Sequence, residues 1–153
     1  MSVQLTVNGQ ALNVDVDPST PLLYVLRNDA SINSAKYGCG AGQCGACAVL
    51  MDEQVVLSCS LPVGSVKGKI KTLESYENDP TLSALNKAFI AEQAVQCGYC
   101  ISGMMIRAKT LLDKNKRPTV QQIKESLQGH LCRCGTHTRI IKAIQRASQE
   151  LSA

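Results

Sequence analysis

The sequence has no tryptophan, one phenylalanine (Phe89) and only 3% aromatic residues. One large core built on aromatic rings is therefore excluded. With 153 residues and 44% hydrophobic content, two small aliphatic cores are the better expectation. Long apolar runs are missing as well, so no membrane span is expected. The charge is close to balanced: 16 Lys and Arg against 12 Asp and Glu leave a formal net charge of +4. There is no basic run and no aromatic ladder between basic residues, which argues against nucleic-acid binding. The opening Met1-Ser2-Val3-Gln4-Leu5 lacks a basic n-region, an apolar h-region and a twin-arginine pair. No secretory signal is expected, and the start at Met1 argues against a leader already removed, so the expected location is cytoplasmic. Also missing are a Ser-His-Asp pattern, a P-loop, a G-x-G-x-x-G after a strand and any candidate general base. Bond-making chemistry is expected on another chain.

What is present reads as an α+β chain in two parts. Val3, Leu5 and Val7 alternate with polar residues, as do Leu12, Val14 and Val16, and Asn8-Gly9 between them is a tight-turn signal. Thr20-Pro21 can open a short helix carrying Leu22, Leu23, Val25 and Leu26, with Pro21 at its first position. A glycine-rich loop at 38–45 is followed by apolar runs at 47–51 and 55–59 and a last strand at 70–73. Hairpin, helix and further strands predict a small sheet clasping one helix. The period then changes to that of helices. Asp79-Pro80 starts one, with Leu82, Leu85 and Phe89 on a face. Another carries Ile101, Met104, Met105, Ala108, Leu111 and Leu112. Thr119 and Gln122 form a capping box for a third, which Gly129 would end. The last carries Ile140, Ile141, Ile144, Ala147 and Leu151. The polar stretch 74–80 divides the chain into expected domains 1–76 and 77–153.

The chemistry lies in eight cysteines. Cys39, Cys44, Cys47 and Cys59 have the spacing C-x4-C-x2-C plus a cysteine beyond a hairpin, which is the plant-type ferredoxin pattern. Four glycines in 38–45 supply backbone conformations that can aim N–H groups at cluster sulfurs. Cys97, Cys100, Cys132 and Cys134 form C-x2-C and C-x-C pairs at the starts of two predicted helices, where free N–H groups favour negative charge. Each set can hold one [2Fe–2S] cluster. Structural zinc competes, poorly for the first set and more seriously for the second, because four cysteines also suit Zn²⁺. Disulfides are disfavoured without a secretory signal. His130 and His137 flank Cys132-Arg133-Cys134, but with four cysteines per set they are expected to be surface or capping residues. Met104 and Met105 read as core filler. Lys36 and Arg133 can balance cluster charge or simply be solvated.

Three motifs carry a resemblance: Lys36-Tyr37-Gly38-Cys39-Gly40-Ala41-Gly42-Gln43-Cys44-Gly45-Ala46-Cys47, Gln96-Cys97-Gly98-Tyr99-Cys100 and Leu131-Cys132-Arg133-Cys134-Gly135. Together they resemble the small iron–sulfur subunit of bacterial molybdenum hydroxylases, the xanthine dehydrogenase and aldehyde oxidase family, and within it the isoquinoline, nicotinate and aldehyde oxidoreductases. The resemblance implies a β-grasp ferredoxin-like domain followed by a four-helix domain. It implies a large partner subunit holding molybdopterin, as the cytosine dinucleotide, with FAD on a further subunit or a cytochrome as acceptor. Electrons would pass from molybdenum through the cluster of the helical domain to that of the β-grasp domain. Gln96 and the ligand Cys134 would lie at the pterin; alternatively, Gln96 only caps its loop. A free-standing two-cluster ferredoxin is the alternative function.

Overall fold

The computed structural model describes residues 2–153; Met1 lies outside them. Period-two alternation makes Ser2–Val7 (β1) and Gln10–Asp15 (β2) an antiparallel hairpin that turns Leu5, Val7 and Val14 inward. Asn8 and Gly9 both have positive φ, 51° and 80°, as a two-residue hairpin turn requires. Ala48–Met51 (β3) and Gln54–Leu57 (β4) form a second hairpin. Its turn puts Asp52 and Glu53 at φ 46° and 69° without any glycine. The Asp52 carboxylate accepts from Lys69 N–H at 2.8 Å, a local bond that compensates for the unusual conformation. Ile70–Lys71 (β5) closes the sheet in the order β2-β1-β5-β3-β4, with β1 and β5 parallel and the other pairs antiparallel. Leu22–Asn28 (α1) packs Leu22, Leu23, Val25 and Leu26 against this sheet's core.

Two boundaries differ from expectation. Pro21 is not in the first helical turn but caps it in an extended conformation, held there by a β-bridge to Pro62. The last strand stops at Lys71 instead of running to 73. Asn8 takes the backbone N–H of Thr72 at 2.9 Å and donates to its hydroxyl. Leu73–Tyr76 then closes as a 3-10 turn.

The second half holds Pro80–Ala91 (α2), Ile101–Lys114 (α3), Val120–Ser126 (α4) and His137–Leu151 (α5). Asp79 caps α2 by accepting from Leu82 N–H at 2.8 Å. Thr119 and Gln122 make both bonds of the capping box. α4 ends at Ser126, short of Gly129, whose φ of 73° serves the following turn. Leu85, Phe89, Met104, Met105, Leu112, Ile123, Ile140 and Ile144 fill this bundle's core. No helix among the described residues is long and apolar enough to cross a membrane.

The two cores are joined by a third. Ile106 on α3 packs with Ala48 and Leu50 of β3, flanked by Leu73 and Tyr76. Beside it the buried Lys109 ammonium binds Asp79 at 2.9 Å and Asp113 at 2.6 Å and lies 4.6 Å from the Tyr76 ring centre. This seam fixes α3 across the back of β3 and so brings the two cysteine groups beside one another.

Candidate metal centres

The first cysteine group sits where the loop between α1 and β3 folds over the sheet. Cys47 and Cys59 are buried in the sheet core, Cys44 is half-buried and Cys39 exposed. The loop points its backbone N–H groups at sulfur. Ala41 and Gln43 donate to Cys39 Sγ at 3.4 and 3.2 Å, Cys39 to Cys44 Sγ at 3.3 Å, Gly42 to Cys59 Sγ at 3.3 Å and Cys59 to Cys47 Sγ at 3.5 Å. Glycine is essential to the loop's path: Gly40 and Gly42 both lie at φ 67°. The electrostatic result is uneven. Donation from Ala41 and Gln43 draws the Cys39 thiol down to about 6. Burial pushes Cys47 up to about 11.

The second group spans two turns. Cys100 is the N-cap of α3, as the spacing predicts. Cys132 and Cys134 lie in a turn ahead of α5, whose N-cap is Thr136, and not on the helix itself. The Tyr99 N–H lowers the Cys97 thiol, and, against partial burial, the Thr136 hydroxyl and N–H draw Cys132 down to about 7. That hydroxyl lies 3.1 Å from Cys132 Sγ. Burial and the neighbouring Cys132 push Cys100 up to about 12.

In both groups neighbouring thiols act on one another's ionisation. Cys39 N–H reaches Cys44 Sγ and Cys59 N–H reaches Cys47 Sγ, and in the second group Cys97 and Cys134 shift each other's ionisation, as do Cys100 and Cys132. A two-iron core takes two thiolates to each iron, whereas one zinc ion gathers all four ligands around a point. All eight cysteines are free thiols. A cavity of about 400 Å³ lies between the groups, lined by Cys39, Cys44, Cys97, Cys100, Cys132 and Arg133. The donor sets, with the N–H cradle of the first group, suit iron–sulfur clusters.

Other site residues divide. Gln96 is exposed beside the exposed Cys97. Lys36 is tied to Asn33 O at 2.7 Å and lies 5.9 Å from the centre of the Tyr99 ring. His137 caps the second group, its Nε2 accepting from Cys132 N–H at 3.2 Å. His130, expected at the surface or as a cap, is instead 3% exposed and wedged against Gly45. Sequence reading missed Thr136; a hydroxyl two residues after a C-x-C pair is the signal that could have found it.

Comparison with known proteins places this geometry. A 2Fe-2S iron-sulfur cluster binding domain matches residues 5–73 and a [2Fe-2S] binding domain matches residues 72–145. One of the nicotinate dehydrogenase subunits of Pseudomonas putida is 46% identical over 149 residues, covering 97% of this chain and 95% of that protein. One of the isoquinoline 1-oxidoreductase subunits of Brevundimonas diminuta is 42% identical, covering 97% and 98%. Quinoline 2-oxidoreductase from Pseudomonas putida 86 superposes with a TM-score of 0.88 at 34% identity, over 99% of this chain and 95% of that one.

Proposed function

The chain belongs to the small iron–sulfur subunits of the molybdenum hydroxylases, the xanthine dehydrogenase and aldehyde oxidase family, and from this premise we propose that it is a two-cluster relay serving a separate substrate-hydroxylating subunit. Cys39, Cys44, Cys47 and Cys59 hold one [2Fe–2S] cluster within domain 1–76. Cys97, Cys100, Cys132 and Cys134 hold the second within domain 77–153. The observation that carries this reading is the match of one [2Fe-2S] binding domain to each half of the chain, each half holding four cysteines, with backbone N–H groups of the first set aimed at sulfur. When bound, such clusters take up and release single electrons between a molybdopterin site and a flavin or cytochrome. The chain's own part is to supply thiolates, to stabilise their negative charge with N–H groups and to hold the two groups at a fixed separation.

The partner is a large molybdopterin subunit, with the cofactor as its cytosine dinucleotide. The exposed edge formed by Gln96 and Cys97, with half-buried Cys134 beside it, is the face turned to the pterin. A glutamine amide both donates and accepts, which suits a pterin edge. The names of the relatives, nicotinate dehydrogenase and isoquinoline 1-oxidoreductase among them, support an N-heterocyclic aromatic substrate on that partner. The test is Gln96→Ala in the assembled complex. The expected result is weaker pterin retention or slower cluster reduction by substrate, with iron content unchanged. Wild-type pterin content and reduction rate would contradict the assignment, and a chain that purifies active without a large subunit would favour a free-standing ferredoxin.

A further inference from the structure

The backbone hydrogen bond from Leu131 N–H to Cys44 O, 3.0 Å long, joins a residue of the first cysteine group to the neighbour of Cys132 in the second. Two contacts hold it in register, and both bear on Gly45. On one side the His130 ring lies so close that a methyl at Gly45 would collide with its Cδ2 and Cγ. On the other, α3 presents Gly103, where a methyl would collide with the Gly45 carbonyl. Gly45 itself sits at φ 76°, a conformation that strains any other residue. The stretch of backbone at 44–46 is therefore gripped between an imidazole and a helix. Shape holds the imidazole, more than hydrogen bonding does. Its Nδ1 is a long 3.4 Å from Gln128 O, and its buried Nε2 bonds to none of the described residues. Burying a ring nitrogen without a partner is unfavourable, so the packing of the ring must offset that loss.

We propose that His130 is a positioning residue for electron transfer between the two cysteine groups: its ring, pressed on Gly45, fixes the separation of Cys44 from Cys132 and keeps the Leu131–Cys44 hydrogen bond closed. The inference rests on the two-cluster reading above. The transfer it serves moves one electron from one group to the other, with no proton taken up and no net oxidation of the chain. Because electronic coupling falls steeply with separation, a wedge that sets the gap sets the rate.

The experiment uses the full chain in its assembled complex, with His130→Ala, His130→Phe and Gly45→Ala. Iron content is measured first. The spin–spin interaction between the two reduced clusters is then read by low-temperature EPR, and electron redistribution between them by flash photoreduction. In His130→Ala both cluster signals should persist while the interaction weakens and redistribution slows several-fold. His130→Phe, which refills the space with a flat ring, should restore most of both. Gly45→Ala, pushing from the opposite side, should resemble His130→Ala. If every variant that keeps its full iron also keeps the native interaction and rate, the proposal is overturned. A Phe variant as impaired as the Ala variant overturns it too, because ring shape would then not be the cause. A wild-type chain with fewer than two clusters would instead remove the functional reading on which the proposal stands.

Discussion

Cys44 and Cys132 are the residues at which the two groups can be told apart, since each brings a thiol to its own set while their backbones meet through Leu131. Serine at either position keeps the backbone bond and removes one soft ligand. Cys44→Ser should therefore lose the first cluster's EPR signal and about half the iron while the second signal survives, and Cys132→Ser should do the reverse. Loss of both signals from either change would show that the two sets do not assemble separately. The thiols within a set are not equivalent either. The N–H groups of Ala41 and Gln43 favour the thiolate of exposed Cys39, whereas burial disfavours that of Cys47, so more of the proton release on metal binding falls to Cys47.

Local elements were the legible ones. Asn8-Gly9 announced its hairpin, Asp79-Pro80 and Thr119 with Gln122 announced two helix starts, and the cysteine spacings defined two groups, because each signal lies within a few residues of the feature it forms. The end of β5, the glycine-free turn at Asp52-Glu53 and the burial of His130 were not legible. All three depend on partners distant in sequence: Asn8 for Thr72, Lys69 for Asp52 and Gly45 for His130. Glu74 belongs with them. Its carboxylate accepts from the N–H groups of Asn33 and Ser34 and from the hydroxyls of Ser34 and Thr72, and so ties the 3-10 turn after β5 to the chain leading into the cluster loop. Partial desolvation would raise this carboxyl, but those hydrogen bonds prevail and hold it at about 2, below its ordinary 4.5. A depressed folded value means the stabilisation is whole above 4.5 and fades as pH falls toward 2. Glu74→Gln should lower the melting temperature by a few degrees at neutral pH, and the gap to wild type should close on acidification through that window. A gap that stays constant with pH would contradict this role.

At the scale of the whole molecule, the two halves have separate cores but share the seam of Ala48, Leu50 and Ile106, with the Lys109 ion pairs beside it on the helical side. Truncating Ile106, which is 1% exposed, should cost about 2–5 kcal/mol. The sheet and the bundle should lose stability together, seen as one unfolding transition moved to lower denaturant; a bundle that melts early while the sheet is unchanged would show that the seam is not shared. The same seam holds two unlike cysteine sets beside one another, one in a glycine loop and one between helix-linked turns. The most direct measurement is therefore iron and acid-labile sulfide per chain, taken with EPR of the dithionite-reduced protein. Two complete sets require about four irons and about four sulfides per chain with two distinct [2Fe–2S] signals. Zinc in the second set, or a single signal accompanied by about half that iron, would contradict the two-cluster relay.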